Sequence, residues 1–505
     1  MRSLHSSHYS RTSNPALSFL PIVACVLVVL GSKFWLISAF GSATPFWDQW
    51  DAEAVLLYKP YLEGTLRVGD LFAPHNEHRI LFSRLIDLGL LELGGRWDPI
   101  LQMVTNAVFH VAGIALLLVL LESSVRSAQA PILAFVAAMT LAVPFGNENI
   151  LAGFQSQFYL LLLFTFGSLL LFRGAPALSV RWWVATALAL ASFFTGASGT
   201  LTLLAVAFVH GLQVVLGERP RGPEVAAVGI HLVLASFLLV WVLLVDASVP
   251  SQPRDTHQFV SNFLAAASWP LPSGLVPALF LNAPVLLTMG GLIKRRAGSG
   301  DPRWIGVTLV VWVLLQCLSL AYGRAGFVLS SRYNDMFVVG LIANFAALLY
   351  LLECTDWVKS RRFAAIAAAW IIVVICALVT EAIDRLPSEI SSRHNTSEVQ
   401  TTNVRRFLET GEFAHLASNP APLIPYPSSE RLRDLLSDAT IRCILPPVLV
   451  APCGDAPNLI FARHTRALTT FAKKALLGYG PMLLPIGVAL LIIGFIMVAS
   501  RRPTE

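Results

Sequence analysis

Residues 17–40 read LSFLPIVACVLVVLGSKFWLISAF, and residues 45–53, which follow after a short connection, read PFWDQWDAE. The first run is predominantly apolar and long enough to cross a bilayer as a helix, which takes about 20 residues. No small-residue cleavage site ends it, so we expect an uncleaved first helix. The second run places three acids directly beyond that helix. We therefore predict that the first loop outside the membrane carries a cluster of acidic residues.

The composition of the whole chain favours the same class. Of its 505 residues, 55% are hydrophobic and only 13% are charged, which differs from a soluble globular protein. Further apolar runs lie at residues 99–121, 131–144, 154–172, 182–195, 200–216, 225–245, 275–293, 304–321, 336–352, 363–380 and 481–499. We predict an all-α polytopic membrane protein with about 12 transmembrane helices.

Basic residues in the short connections predict the orientation. They fall on alternate loops, at Arg126, Arg173, Arg181, Arg219, Arg221, Lys294, Arg295, Arg296, Lys359, Arg361, Arg362, Arg501 and Arg502. The positive-inside rule assigns that side to the cytoplasm, with both termini on it, in an inner (plasma) membrane. The net charge of +6 is thus interpreted as a topology signal, and no nucleic-acid motif accompanies it.

This topology divides the chain into three parts. Residues 1–380 form a multispan module, in which residues 41–98 are a long first extracytoplasmic loop carrying amphipathic helices. Residues 381–479 form a small extracytoplasmic region. Residues 480–505 supply the last transmembrane helix and a cytoplasmic tail. The polar residues that could bind a ligand or take part in a reaction are then predicted to lie on the extracytoplasmic side.

The acids of the first loop are the leading site candidates. If residues 50–63 are helical, Asp48 and Asp51 lie one turn apart and face the same way. Such a pair can share a proton, hold a divalent cation, or divide the roles of base and ligand. With Glu53 they form a candidate site for Mg²⁺ or Mn²⁺. The alternative is that these acids only cap a surface helix. A second helix is expected at residues 80–93, lying along the membrane interface.

Two other extracytoplasmic segments carry candidate binding residues, namely His75, Glu77, His78 and Arg79 in the first loop, and Arg324, Arg332 and Tyr333 between two later spans. The first group could orient the acids, hold a metal or bind an acceptor sugar. A guanidinium presents a planar fork of donors that suits a phosphate. For Arg332 the alternative is snorkelling at a helix end. Glu148, in an Asn-rich loop, is interpreted as part of a helix connection.

Cysteines and intramembrane residues add two expectations. Cys443 and Cys453 share the oxidising side at a spacing that a hairpin-like loop could close, so we predict a disulfide. Within the apolar runs we identify lone imidazoles such as His110 but no acid or base buried at mid-span. The absence of such a buried acid or base counts against an ion-coupled transporter.

The first-loop acids, the run from His75 to Arg79 and Ser331-Arg332-Tyr333, set in this architecture, resemble the GT-C superfamily of integral-membrane glycosyltransferases. More narrowly, they are similar to bacterial multispan proteins that modify surface polysaccharides. The acids here read Asp-x-x-Asp-x-Glu, which is neither the adjacent Asp-Glu pair nor the Asp-x-Asp of other members. The resemblance implies a sugar donor carried on a polyprenyl phosphate and transfer at the outer face of the membrane.

The function that we expect from this resemblance is inverting transfer of a sugar to a glycan, lipid or protein acceptor of the cell envelope. Such a reaction needs a base for the acceptor hydroxyl and positive charge for the departing phosphate. Asp48 is the first candidate for the base and Asp51 the second, with Arg324 and Arg332 on the phosphate. The alternatives are a polysaccharide polymerase or ligase, and a glycolipid transporter or flippase.

Overall fold

Helices build the whole framework of this protein. The computed structural model describes residues 15–244, 252–354, 361–420, 422–451 and 459–500. Within these ranges no β-strand forms, and the one isolated bridge pairs His75 with His78. The predicted all-α class is therefore confirmed.

Ten helical segments in the described residues are long and apolar enough to cross a membrane. They are Phe19–Phe40, Pro99–Glu122, Gly153–Phe172, Ala197–Val215, Arg221–Leu243, Leu275–Lys294, Trp304–Gly323, Ser331–Glu353, Arg361–Thr410 and Ala462–Met497. Two shorter apolar helices, Ala130–Ala142 and Val180–Phe193, coincide with the remaining predicted runs. The polytopic helical character agrees with the prediction, whereas the number and direction of crossings stay predictions.

The first and last apolar helices pack directly against each other. Helix Pro15–Phe40 contacts helix Leu483–Ala499 along its length. Two glycines permit the close approach, because an added Cβ would lie 2.3 Å from the Leu484 backbone nitrogen at Gly31, and 2.6 Å from the Val28 nitrogen at Gly487. Small residues at such positions are typical of helix pairs in membranes. This contact places the first and last of the described apolar helices side by side.

The first loop contains the two expected helices, but the first is wound differently from an α-helix. Residues Gln49–Tyr58 form a π-helix, continued by the short α-helix Lys59–Leu62. At its end the Lys59 N–H donates to the Ala54 carbonyl, five residues back. Long π-helical segments are rare and frequently mark functional sites.

The second helix of the loop, Leu81–Gly94, matches the predicted segment closely. Its polar residues Arg84, Asp87 and Glu92 are buried, whereas Leu85 and Leu93 are exposed. The polar side of the helix therefore faces protein and its apolar side faces outward. This arrangement suits the predicted place at a membrane interface.

The C-terminal region, residues 381–479, packs onto the first loop. It contains helices Leu386–Thr410, Ala414–Ala417, Ser429–Ser437 and Ala439–Ile444, followed by helix Ala462–Tyr479. Trp50 and Trp97 from the first loop share one buried apolar cluster with Leu432 and Ile444 from this region. Residues of the first loop and described residues between 404 and 462 thus share one apolar core, separate from that of the apolar bundle.

Candidate functional site

Asp48 lies immediately before the π-helix, at the surface of the packed first loop. Its side chain is 50% exposed, and its Oδ2 lies 3.8 Å from Nε2 of His75, which is an electrostatic contact longer than a hydrogen bond. The His75 ring packs edge-on against Phe154, with ring centroids 5.2 Å apart. The preceding residue, Trp47, has a backbone φ of 51°, which is rare for a bulky residue. Strain of this kind clusters at functional sites.

A four-residue turn fixes both predicted histidines. The His75 N–H donates to the His78 carbonyl at 2.8 Å, and the His78 N–H returns a bond to the His75 carbonyl at 3.0 Å. Asn76 occupies the left-handed region that this turn requires, with φ 51°. The two imidazoles therefore lie close together on one short loop.

His78 is held in its neutral form. Burial lowers its pKa to about 4, despite the opposing influence of Glu77. Its Nδ1 accepts a hydrogen bond from the Ala197 N–H at 3.3 Å, and its Nε2 lies 3.3 Å from a guanidinium nitrogen of Arg324. At neutral pH the His78 ring is therefore uncharged and lies between the turn and Arg324.

Arg324 follows helix Trp304–Gly323 and pairs with the same turn. Its guanidinium forms an ion pair with Glu77 and donates to the Gly323 carbonyl at 2.7 Å. Burial lowers the pKa of Arg324, but Tyr333 and Glu77 outweigh burial and raise it. Burial likewise raises the pKa of Glu77, yet His78 and Arg324 bring it below its usual value. Four predicted binding residues thus form one charged cluster, namely Glu77, His78, Arg324 and Tyr333.

Arg332 lies beside that cluster and pairs with Glu148. Its Nε lies 3.2 Å from Glu148 Oε2, and both side chains are about 40% exposed. The same oxygen accepts the Arg332 backbone N–H at 3.1 Å and the Ser330 hydroxyl at 2.6 Å. Burial raises the pKa of Glu148, but Arg332 and Ser330 lower it overall. The interpretation of Glu148 as a mere helix connection is therefore incomplete, because this acid orients a candidate phosphate ligand.

The electrostatics of Asp48 connect it to these groups. Burial raises the pKa of Asp48, but His75, together with the charge of Arg332, more than compensates, so the net pKa lies below its usual value. At neutral pH Asp48 is a half-exposed carboxylate within the field of a half-exposed guanidinium. The predicted residues brought together here are Asp48, His75, Glu77, His78, Arg324, Arg332 and Tyr333.

Asp51 and Arg79 lie elsewhere. Asp51 accepts a hydrogen bond from the Tyr426 hydroxyl at 2.6 Å and pairs with Arg431 at 3.4 Å, so it joins the first loop to the C-terminal region. It does not face the partners of Asp48, because the π-helix that begins at Gln49 turns less per residue than the expected α-helix. The Arg79 guanidinium stacks 4.1 Å from the centre of the Trp241 ring, away from the cluster.

Glu53 belongs to a buried network that the sequence did not reveal. Its Oε2 accepts hydrogen bonds from Trp97 Nε1 at 2.6 Å and Gln102 Nε2 at 2.9 Å. The same Gln102 nitrogen donates to Asp87 Oδ1 at 2.9 Å. Burial raises the pKa of Glu53 to about 7, although its hydrogen bonds oppose the shift. Burial and the nearby Glu53 raise the pKa of Asp87 as well.

These positions do not fit the predicted metal site. Asp48 faces His75, Asp51 faces Tyr426, and Glu53 is fully buried among amide and indole donors. Within the described residues no group of three or more His, Cys, Asp or Glu side chains is placed to hold a metal ion. The prediction of a three-acid Mg²⁺ or Mn²⁺ site is not supported by this geometry.

Lys33 is a base buried inside the first apolar helix, contrary to the expectation of none, whereas its buried neighbour Asp335 lies in the first turn of helix Asn334–Cys354. Lys33, in the first helix, is 2% exposed, and its Nζ lies 5.4 Å from the centre of the Tyr159 ring. It attracts Asp335, which is 7% exposed and accepts a hydrogen bond from Asn149 Nδ2 at 3.1 Å. Asn149 also donates to the Arg332 carbonyl at 2.8 Å. The buried pair therefore supports the loop that carries Arg332.

The structure describes one of the two cysteines of the predicted disulfide. Cys443 is disulfide-bonded, and Cys453 lies outside the described residues. Cys25 and Cys317 are buried free thiols, as expected for small hydrophobic residues in apolar helices.

Comparison with known proteins adds no relative, because no family model, curated protein or solved structure matches this chain. The cluster around Asp48 is therefore the feature from which a function can be inferred.

Proposed function

We propose that this protein is an inverting glycosyltransferase of the GT-C type. In this proposal it transfers a sugar from a polyprenyl phosphate to a cell-envelope acceptor at the extracytoplasmic face of the inner membrane. The observation that carries the proposal is the placement of a half-exposed carboxylate, Asp48, within the field of a half-exposed guanidinium, Arg332. These are the two charges that such a transfer requires, one to accept a proton and one to stabilise a phosphate.

The proposed step begins at the acceptor hydroxyl. Asp48 takes the hydroxyl proton while the acceptor oxygen forms a bond to the anomeric carbon. The bond from that carbon to the phosphate oxygen breaks on the opposite face, and its electron pair leaves with the polyprenyl phosphate. Attack opposite to the leaving group inverts the configuration at the anomeric carbon. Because the pKa of Asp48 is lowered, the carboxylate is available as a base at neutral pH.

Arg332 has the exposure that a phosphate ligand needs. Its side chain is 40% exposed, compared with 25% for Arg324, which is already paired with Glu77. We assign Arg332 to the direct contact with phosphate and Arg324 to the supporting charge behind it. The hydrogen bond that Arg332 donates to Glu148 holds the guanidinium in place before the donor substrate arrives, as preorganisation demands.

The alternative bases are less suitable. Glu53 has a pKa of about 7, close to the optimum for a base at neutral pH, but its side chain is fully buried and bonded to Trp97 and Gln102. Asp51 is partly exposed but is bonded to Tyr426 and Arg431. A base must reach the proton that it removes, and Asp48 is the acid of the three that is half-exposed and lies within the field of Arg332.

The test is a transfer assay on the purified full-length protein in detergent. A panel of synthetic polyprenyl-phosphate sugars is incubated with glycan, glycolipid and peptide acceptors, and products are identified by mass spectrometry. The proposal predicts a new glycosidic bond together with released polyprenyl phosphate, both lost in Asp48→Asn. Movement of an intact lipid-linked sugar across a vesicle bilayer, without bond formation, would contradict the proposal and favour a flippase. Transfer of whole oligosaccharides alone would instead favour a polymerase or ligase.

A further inference from the structure

A groove lies beside helix Ala462–Tyr479. It has a volume of about 560 Å³ and runs between the turn after helix Leu81–Gly94 and the first half of helix Ala462–Tyr479. It is lined by Gly95, Leu459, Ala462, Arg463, Arg466, Ala467 and Thr470. None of these residues belongs to the candidate site, so the groove needs an explanation of its own.

The backbone at Gly95 shapes this groove. Gly95 has a φ of +70°, and a Cβ added there would lie 3.2 Å from Ala462 Cβ and 3.4 Å from Arg466 Cδ. The missing side chain lets the Arg466 stem lie close against the turn, which holds its guanidinium at the groove. A glycine in this conformation also ends helix Leu81–Gly94.

Two arginines give the groove positive charge, and the described residues place no carboxylate against them. Arg463 and Arg466 are both exposed, and neither has a carboxylate partner within the described residues. Two acids on the neighbouring elements are already bonded, because Asp98 pairs with Lys473, and Glu92 accepts the Tyr61 hydroxyl and the Phe461 N–H. Positive charges clustered in this way attract an anion.

A buried guanidinium adjoins the same wall. Arg96, directly after Gly95, is 7% exposed and donates from Nη1 to the Leu445 carbonyl at 3.0 Å. Its Nε is buried and has no hydrogen-bond partner. Arg96 also lies within the electrostatic range of Arg466. An unsatisfied buried donor next to a second unpaired cation is costly unless an anion compensates for it.

The same helix has an apolar side that is open to its surroundings. Phe461, Leu468 and Phe471 are 58%, 68% and 70% exposed, and the helix leads directly into the apolar helix Leu483–Ala499. Basic residues together with exposed aromatic and aliphatic residues on one helix are typical of segments that lie in the headgroup layer of a bilayer. A groove on such a helix would lie at the depth of lipid phosphates.

We propose that this groove binds the phosphate headgroup of an anionic phospholipid. Arg463 and Arg466 hold the phosphate, and the acyl chains follow the exposed apolar side of helix Ala462–Tyr479 towards the last apolar helix. The site is independent of the proposed transfer reaction, since it shares no residue with it. A lipid bound here would stabilise the packing of this helix against helix Leu81–Gly94.

The test measures lipid retention on the full-length protein by native mass spectrometry in detergent. Phosphatidylglycerol is titrated into wild type and into R463Q/R466Q, with phosphatidylcholine as the zwitterionic comparison. Each cation near a membrane surface contributes roughly a fivefold effect on binding, so we expect at least about tenfold weaker phosphatidylglycerol binding in the double variant. The single variant Arg463→Gln, at an exposed position, should fold normally and show an intermediate loss.

The matched control is R405Q/R406Q, which removes two exposed arginines from helix Leu386–Thr410. It has the same net charge change and should bind phosphatidylglycerol as wild type does. Equal binding by R463Q/R466Q and wild type, or equal loss in the control, would overturn the site. Displacement of the lipid by excess inorganic phosphate would overturn the assignment to a lipid headgroup and indicate a soluble anion. Failure of the transfer assay has no bearing on these outcomes.

Discussion

Arg332 Nε lies 3.2 Å from Glu148 Oε2, and the same oxygen accepts the Arg332 backbone N–H at 3.1 Å. One carboxylate oxygen thus holds both the main chain and the side chain of a residue 184 positions later in the sequence. The contact fixes Arg332 at the start of the apolar helix Asn334–Cys354, beside Asp48. A guanidinium prepared in this way contributes most if charge develops in front of it during reaction.

We expect Arg332→Ala to lower kcat/KM for the lipid-linked donor by about 10²–10³-fold, the cost of removing one preorganised donor to a developing anion. Arg332→Lys keeps the charge but loses the planar fork, so it should restore only part of the activity. The measurement is steady-state transfer with purified protein. Donor binding should weaken as well, because the phosphate is charged before the bond breaks.

The control for this experiment is Arg431→Ala, which removes a half-exposed arginine that pairs with Asp51. It should change kcat/KM much less than Arg332→Ala does. Equal losses in the two variants would remove Arg332 from the phosphate contact.

Asp48→Asn should reduce transfer by about 10²–10⁴-fold while donor binding is largely kept, since the amide preserves size but not basicity. Asp51→Asn is the matched control, because it makes the same change on the same loop but at a residue bonded to Tyr426. Asp51→Asn should retain most of the activity. The measurement compares both variants with wild type at saturating donor. A large loss in Asp51→Asn with full activity in Asp48→Asn would reverse the assignment of the base.

The class of the fold could be predicted from the sequence because hydrophobic length is a local property. Each apolar run is long enough to satisfy its own backbone hydrogen bonds, so the run at residues 99–121 predicts the helix Pro99–Glu122 without knowledge of its neighbours. The second first-loop helix could be predicted for the same reason. Its termination at Gly95 also follows from local chemistry.

The arrangement of the site could be predicted only in part. The charged residues of the first loop and the loop before Asn334 were recognisable, because such groups are rare in this composition. Their pairing was not, because Glu77 meets Arg324, 247 residues away, only through packing of distant helices. The π-helix is likewise a tertiary result, and it separates Asp48 from Asp51, which an α-helical pattern would align.

The predicted orientation can be tested by cysteine labelling in intact cells. Thr65 and Gly298 are both exposed, on loops assigned to opposite sides of the membrane. An impermeant maleimide should label Thr65→Cys above the level of the unmodified protein, and should label Gly298→Cys only after the membrane is made permeable. Labelling of Gly298→Cys in intact cells would place the candidate site in the cytoplasm. A polyprenyl-phosphate donor at the outer face would then be excluded.

The last prediction concerns the buried carboxyl pair behind the site. Glu53 and Asp87 both bond to the same Gln102 nitrogen, and the pKa of Glu53 is raised from 4.5 to about 7. The folded protein therefore keeps a proton that the unfolded chain would release. Its contribution to stability is fully present below pH 4.5 and is lost as the pH rises through about 7.

Between these two values we expect the unfolding free energy to fall with rising pH, by at most about 1.4 kcal/mol per pH unit for one proton. Glu53→Gln removes the titrating group and keeps a side chain of the same size, so the dependence on pH should flatten in this variant. The measurement is the melting temperature in detergent across the pH range, followed by tryptophan fluorescence.

Glu63→Gln, at an exposed position where no buried proton is involved, is the control and should retain the wild-type dependence. A slope that Glu53→Gln leaves unchanged would show that Glu53 is not the group that holds the proton. Because Trp97 donates to Glu53 and also packs against Trp50, loss of that proton at alkaline pH should loosen the first loop before the apolar bundle unfolds.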